Sequence, residues 1–322
     1  MSKTIVKETP VDSPWKTFMF AAGAMVFFSM MNVFVKISAM DYSTAQIIFF
    51  RNALAFFPIL YLISKNGGFG LLKTDNHLGH FWRGAVGIMG MCCFFISFDL
   101  LPLSNATAIH FAGPLILTVL SVPLLGEKVG MPRWCAVVIG LGAVFFMMSP
   151  QDIGEHMVGS VVAFMAAFFA AFAMIFVRKL GRSEHAMTIV FYFTLYGMLL
   201  GGLAMIFMWE PIQKETFFFL VMTGFMGGVG QVMLTYAYAH APAAYVAPFS
   251  YLQIVLAIGA DIVIWNTFPD WHIYIGSTVI IASGLFIVYR EHTKNKRIAA
   301  RSASYGLEPT GPTRCDEEQG SK

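Results

Sequence analysis

Ten blocks of about twenty mostly apolar residues run through this 322-residue chain, and they restrict its fold more than any other feature. At 1.5 Å of rise per residue, a helix of that length crosses the roughly 30 Å hydrocarbon layer of a membrane. The blocks read as 15–38, 44–64, 80–99, 103–125, 132–149, 156–178, 187–209, 216–239, 243–266 and 271–290. No water reaches a backbone inside lipid, so each block must satisfy its own hydrogen bonds as a helix. Composition agrees: 12% of residues are charged and 57% hydrophobic, against about 25% charged in soluble domains. The expected fold is an all-α polytopic membrane protein whose solvent is the lipid bilayer.

Lys3, Lys7 and Lys16 precede the first block, as in a signal peptide. That block exceeds the usual core of about 7–15 residues and nine more follow it, so it reads as a retained helix. Residues 1–14 and 291–322 lack apolar periodicity and are expected to be disordered tails. Lys and Arg fall heavily on one side of the expected helices, including Lys65, Lys73, Arg83, Lys128, Arg133, Arg178, Lys179 and Arg182. The other side has Lys214 and the span-edge Lys36, among Asp41, Asp99, Asp152, Glu155, Glu210 and Asp270. The positive-inside rule therefore puts both termini in the cytoplasm, in a cell inner membrane.

The stretch Leu101–Gly130 recurs 140 positions later as Ala241–Asp270: Pro102 meets Pro242, and the Gly126-Glu127-Lys128 turn meets Asn266-Thr267-Phe268. Val35-Lys36 resembles Val177-Arg178, and Gly142-Ala-Val-Phe-Phe resembles Gly284-Leu-Phe-Ile-Val. The repeat is five spans long, with units expected at 15–149 and 155–290. An odd number of spans inverts the second unit relative to the first. Inverted repeats are characteristic of secondary transporters, whose substrate site lies near the midplane between the halves.

At these residues the chain resembles the EamA-type branch of the drug/metabolite transporter superfamily. The pieces that carry the likeness are Phe50-Arg51, the run ending Leu-Leu-Gly-Glu-Lys-Val-Gly at residue 130, Ala247 to Gln253, Asn266 to Asp270, Ile275-Gly276 and Ala282 to Leu285. The resemblance implies a ten-helix inverted repeat around a cavity lined by the first, third, fourth, sixth, eighth and ninth spans. The subgroup looks like bacterial S-adenosylmethionine-uptake and riboflavin transporters, with amino-acid and drug exporters as other relatives. One departure stands out: family members often have Gly-Glu where this chain has Asn266-Thr267.

Ionisable and polar groups inside spans are costly and need a reason. Arg51, seven residues into the second span, reads either as a fixed charge for an anionic substrate or as a structural tie to Asp99 or Asp261. Thr107, His110 and Pro114 share one face of the fourth span, and Pro114 is expected to bend it. His110 is a hydrogen-bonding partner, a proton carrier or a structural histidine. Asn32, Gln231, Tyr236, Tyr251 and Gln253 are further candidates for a cavity lining, with interhelical packing as the alternative. Pro248 is a second bend point, and Asp261 a gating or coupling group that could partner Arg51. Glycines at 84, 87 and 90, and at 224, 227, 228 and 230, permit close helix approach.

The expected function is secondary transport of a small organic metabolite, of amino-acid, nucleoside or flavin type, with a coupling proton or sodium ion left open. No cofactor, metal or nucleic-acid partner is expected: the four cysteines have no ligand spacing, no phosphate-binding loop occurs, and the basic residues do not cluster on one face. An intramembrane lipid-modifying enzyme is the reading of another class, but it would need clustered carboxylates or histidines at one membrane face.

Overall fold

The structure is a computed structural model that describes residues 14–65, 68–127, 129–148, 155–181, 183–241 and 243–304. Among these, every regular element is helical. The chain crosses in order as α1 (Pro14–Ser38), α2 (Thr44–Lys65) and α3 (His77–Leu100), then a broken fourth span of α4 (Leu103–His110) and α5 (Gly113–Leu125), then α6 (Met131–Met147). The second half follows with α7 (Glu155–Leu180), α8 (Ala186–Phe207) and α9 (Phe217–His240). Its broken ninth span comprises α10 (Ala243–Val246), a 3-10 turn (Ala247–Tyr251) and α11 (Leu252–Trp265), and α12 (Trp271–Ser304) closes the chain. Among the described residues nine spans are long and apolar enough to cross a membrane, and the 17-residue α6 supplies the tenth. The fold is thus ten membrane-spanning helices, in two inverted repeats of five.

Packing follows the duplication. The first span lies along α9, and its repeat equivalent α7 lies along α3. The second span packs on its own equivalent α8, α6 packs on its equivalent α12, and α4 crosses α11. The main helix pairings therefore join one repeat to the other, and the apolar core is shared between them. Close approach depends on small residues: a Cβ at Gly90 would lie 3.3 Å from the backbone nitrogen of Ala170 on α7.

The two broken spans carry the repeat in finest detail. The fourth span breaks at Phe111-Ala112, just before Pro114, and the ninth changes from 3-10 to α geometry at Tyr251-Leu252. Those breaks stand at the same 140-position offset as the sequence repeat, and Phe111 and Tyr251 touch, with ring centroids 5.3 Å apart. Equivalent residues of two inverted units meet only near the axis that relates them, so this contact marks the centre of the molecule.

The C-terminal caps also correspond. Gly126 ends α5 with φ 69°, and Asn266 ends α11 with φ 51°. Each cap is followed by a residue whose amide reaches back to the helix, Glu127 to Ser121 at 3.2 Å and Thr267 to Asp261 at 3.0 Å. Asparagine is one of the few side-chain-bearing residues that enters the left-handed region readily. Asn266 thus keeps the turn that glycine makes in the first repeat.

One expectation differs. The tenth helix continues to Ser304, where the loss of apolar periodicity predicts a disordered tail from 291; the segment 291–304 is instead rich in Ala, Lys, Arg and Glu, good helix formers that need no apolar face. The expected tails at 1–13 and 305–322 lie outside the described residues.

Candidate functional site

A set of polar side chains on four spans of the first repeat, the polar ring, has atoms buried inside the bundle. Ser29 and Asn32 come from α1, Arg51 from α2, Arg83 from α3, and Thr107 and His110 from α4. Each has at least one buried nitrogen or oxygen with no hydrogen-bond partner: Ser29 Oγ, Asn32 Oδ1, Arg51 Nε, Arg83 Nε and Nη1, Thr107 Oγ1 and His110 Nδ1. A buried polar group without a partner costs about 1–3 kcal/mol. Six such side chains stand on four helices of one repeat.

Arg51 is 9% exposed. Its Nη1 donates to Asn52 Oδ1 at 2.9 Å, and Asn52 Nδ2 donates in turn to the Ile48 carbonyl at 2.8 Å. Across the interface a Cβ on Gly227 of α9 would stand 3.6 Å from Arg51 Nε and 2.8 Å from Met31 Sδ, so this glycine lets α9 pack against α1 beside the guanidinium. Neither Asp99 nor Asp261 pairs with it. Arg83 lies over the Phe193 ring of α8, 4.2 Å from its centroid, and its Nη1 occupies the space a side chain at Gly87 would need. Arg83 belongs with these buried polar groups although, near the start of a span, it reads in the sequence as an interface charge. Its signal was available: it precedes the Gly84–Gly87–Gly90 stripe on the same helix.

His110 stacks on Phe94 with centroids 4.1 Å apart. The other candidates take different places. Tyr251 sits against Phe111 and presses its hydroxyl onto Gly284 of α12, at the crossing of the broken spans. Gln253 Nε2 contacts Met25 Sδ at 3.1 Å, on the α1 face that also carries Ser29 and Asn32. Gln231 is half-buried, one turn beyond Gly227. Tyr236 is 38% exposed and stacks on Phe20 near the end of α9, away from the ring. Pro114 and Pro248 stand at the two breaks, as a missing amide donor requires.

Asp261 corrects the expectation of an Arg51 partner. It is 1% exposed and binds the N-terminus of α4: Oδ1 accepts from Leu103 N at 3.0 Å, and Oδ2 accepts from Ser104 N at 2.7 Å and Ser104 Oγ at 2.6 Å. Pro102 at the cap position offers no side-chain acceptor, so a carboxylate from the other repeat replaces it. Beside it Lys36 Nζ donates to the Leu101 carbonyl at 2.8 Å and lies 5.0 Å from the centre of the Trp265 ring, rather than snorkelling freely. The ends of α1, α4 and α11 are thereby tied together. At the opposite face, where α1 begins, Arg178 Nη1 meets Glu127 Oε1 at 2.9 Å. Lys36 and Arg178 are repeat equivalents, so each unit uses the end of its first helix to hold the end of the other unit's fourth. Among the described residues no group of three His, Cys, Asp or Glu is arranged to hold a metal ion.

This architecture defines a multi-pass membrane protein made of two inverted repeats around a polar centre. The chain belongs to the EamA-like transporter family, whose model matches residues 15–149 and 157–289. It is 31% identical over 268 residues to a pseudopaline exporter of Pseudomonas aeruginosa, covering 81% of this chain and 89% of that one. It is 26% identical over 245 residues to an S-adenosylmethionine uptake transporter of Rickettsia conorii (76% and 81% covered). A riboflavin transporter of Rhizobium johnstonii is 25% identical over 279 residues (86% and 92% covered). Each of these relatives is named for transport, not for catalysis. A solved crystal structure shares the fold with a TM-score of 0.61 at 16% identity, covering 84% of this chain and 96% of that one.

Proposed function

We propose that this protein is a secondary transporter that carries a small organic metabolite across the cytoplasmic membrane by alternating access. The observation that carries the reading is the ring of unpartnered polar atoms at the centre of the bundle, on helices of a fold whose named relatives are transporters. Polar groups at membrane depth without partners are costly, and a polar substrate repays that cost. The Lys- and Arg-rich face, which carries both termini, is placed in the cytoplasm.

The two ties then act as gates. The outer one joins Lys36, Leu101, Ser104, Asp261 and Trp265; the inner one is the Glu127–Arg178 pair. The outer tie is buried and made of several bonds, whereas the inner pair is about two-fifths exposed on each side chain (38% and 42%). Exposed ion pairs contribute only about 0–1 kcal/mol, so on this reading the inner gate yields first, although both ties are made together here. Breaks at Phe111-Ala112 and at Tyr251-Leu252 supply the hinges. Export is the second reading of direction, favoured by the 31% identity to the pseudopaline exporter.

The test is flux. Purified protein in liposomes should accumulate at least one labelled member of a panel of amino acids, organic acids, nucleosides, S-adenosylmethionine and flavins, saturably and above protein-free vesicles. Absence of flux for every member would contradict the proposal.

A further inference from the structure

Arg51 and Arg83 are the two permanent cations of the central ring, and no carboxylate among the described residues pairs with either. A guanidinium stays charged wherever it is placed. With no carboxylate beside either among the described residues, the site carries two like charges in an environment that penalises even one.

Two independent ladders set their spacing. On α3, Arg83 Nη1 lies at Gly87, while Asn52, which holds Arg51, has its Nδ2 3.9 Å from the sulfur of Met91, four residues further on. On α8, Arg83 lies over Phe193, while the Asn52 side chain fills the space beside Gly197, again four residues further on. Both ladders place the Arg83 guanidinium about one helical turn, roughly 6 Å, along the bundle from the Asn52 side chain that Arg51 hydrogen-bonds. Asn52 fixes one edge of Arg51 and Phe193 one face of Arg83, so each cation is held in position with unused N–H groups.

We infer that the central site takes an organic dianion, its two carboxylates received by Arg51 and Arg83. The inference rests on the transporter reading and narrows its substrate class. Arginine binds carboxylate through paired, charge-assisted hydrogen bonds, and a second carboxylate removes the repulsion that the first leaves. A backbone of about four to six carbons spans the gap at ordinary bond lengths. Ser29, Asn32, Thr107 and His110 then receive hydroxyl or amine groups borne by that backbone. Such a site disfavours S-adenosylmethionine, a net cation, and gives uncharged riboflavin no counter-charge.

The experiment is thermal denaturation of the purified full-length protein in detergent, with succinate, glutarate, riboflavin or S-adenosylmethionine added. Binding to the folded state raises the midpoint by mass action. Succinate or glutarate should raise it saturably, and labelled glutarate bound to wild type should be displaced by succinate but not by the other two. Arg51→Gln and Arg83→Gln should each weaken glutarate binding about tenfold or more; displacement on the wild-type protein needs neither variant to fold. Binding of riboflavin or S-adenosylmethionine with no response to either dicarboxylate overturns the inference, as does no response to any of the four compounds. Full glutarate affinity in both variants overturns it too. Flux of an uncharged or cationic metabolite without dicarboxylate binding would sink this inference alone. Dicarboxylate binding without any flux would sink the transporter reading alone.

Discussion

Asp261→Ala is the substitution whose consequence follows most directly from geometry. The carboxylate receives three hydrogen bonds, two of them from the first amides of α4. Removing it leaves Leu103 N–H and Ser104 N–H buried at a helix start that has no other side-chain cap. Each orphaned donor costs about 1–3 kcal/mol, and the lost anion at the positive end of the helix adds about 0.3–1 kcal/mol. Partial overlap between these effects leaves a net loss of about 3–5 kcal/mol. Asp261→Asn should cost less, because one side-chain oxygen still accepts while the amide must face a donor. Ser104→Ala removes only the hydroxyl, and a double-mutant cycle with Asp261→Ala should return a coupling of about 1.5–3 kcal/mol. Reversible unfolding in mixed micelles measures all four proteins. A loss below about 1 kcal/mol for Asp261→Ala, with no coupling to Ser104, would refute the capping argument.

Two further predictions concern the gates. In a background without native cysteines, Ser104→Cys with Asp261→Cys puts one sulfur at the Ser104 hydroxyl and the other at the Asp261 carboxylate carbon, groups now joined by a 2.6 Å hydrogen bond; oxidation should abolish flux and reduction restore it, while unchanged flux in the oxidised protein would exclude movement at this tie. Glu127→Gln breaks an exposed pair, so thermal stability should change by less than about 1 kcal/mol while access of a thiol reagent to Ser29→Cys from the cytoplasmic side rises; a large stability loss with no change in access would count against a gate.

The span count, the five-helix repeat and its inversion were legible in the sequence because they rest on apolar length and on motifs that recur at a fixed offset. The cap at Asn266 was legible only as a departure; its meaning appears once its backbone is seen in the same left-handed turn as Gly126. What could not be read was pairing across the bundle. Asp261 and Ser104 are 157 positions apart, and nothing local shows that a carboxylate on one repeat caps a helix of the other. Arg83 was hidden by its place near a span end: three residues past the expected start at 80 it reads as an interface charge, and with the helix starting at His77 it stands nearly two turns in. Tyr236 illustrates the opposite error of emphasis, since a polar aromatic in a span suggests a lining, yet its helical position turns it towards Phe20 at the bundle's end.

The central claim is that the unpartnered polar ring is where the transported molecule binds. Its most direct test is the flux of the metabolite found by the liposome screen, measured in wild type and in Arg51→Gln at equal amounts of folded protein. The account predicts flux in wild type and its loss in the variant, with the variant's unfolding midpoint preserved or raised as a buried unpaired charge is removed. Wild-type flux in a folded Arg51→Gln protein would contradict it.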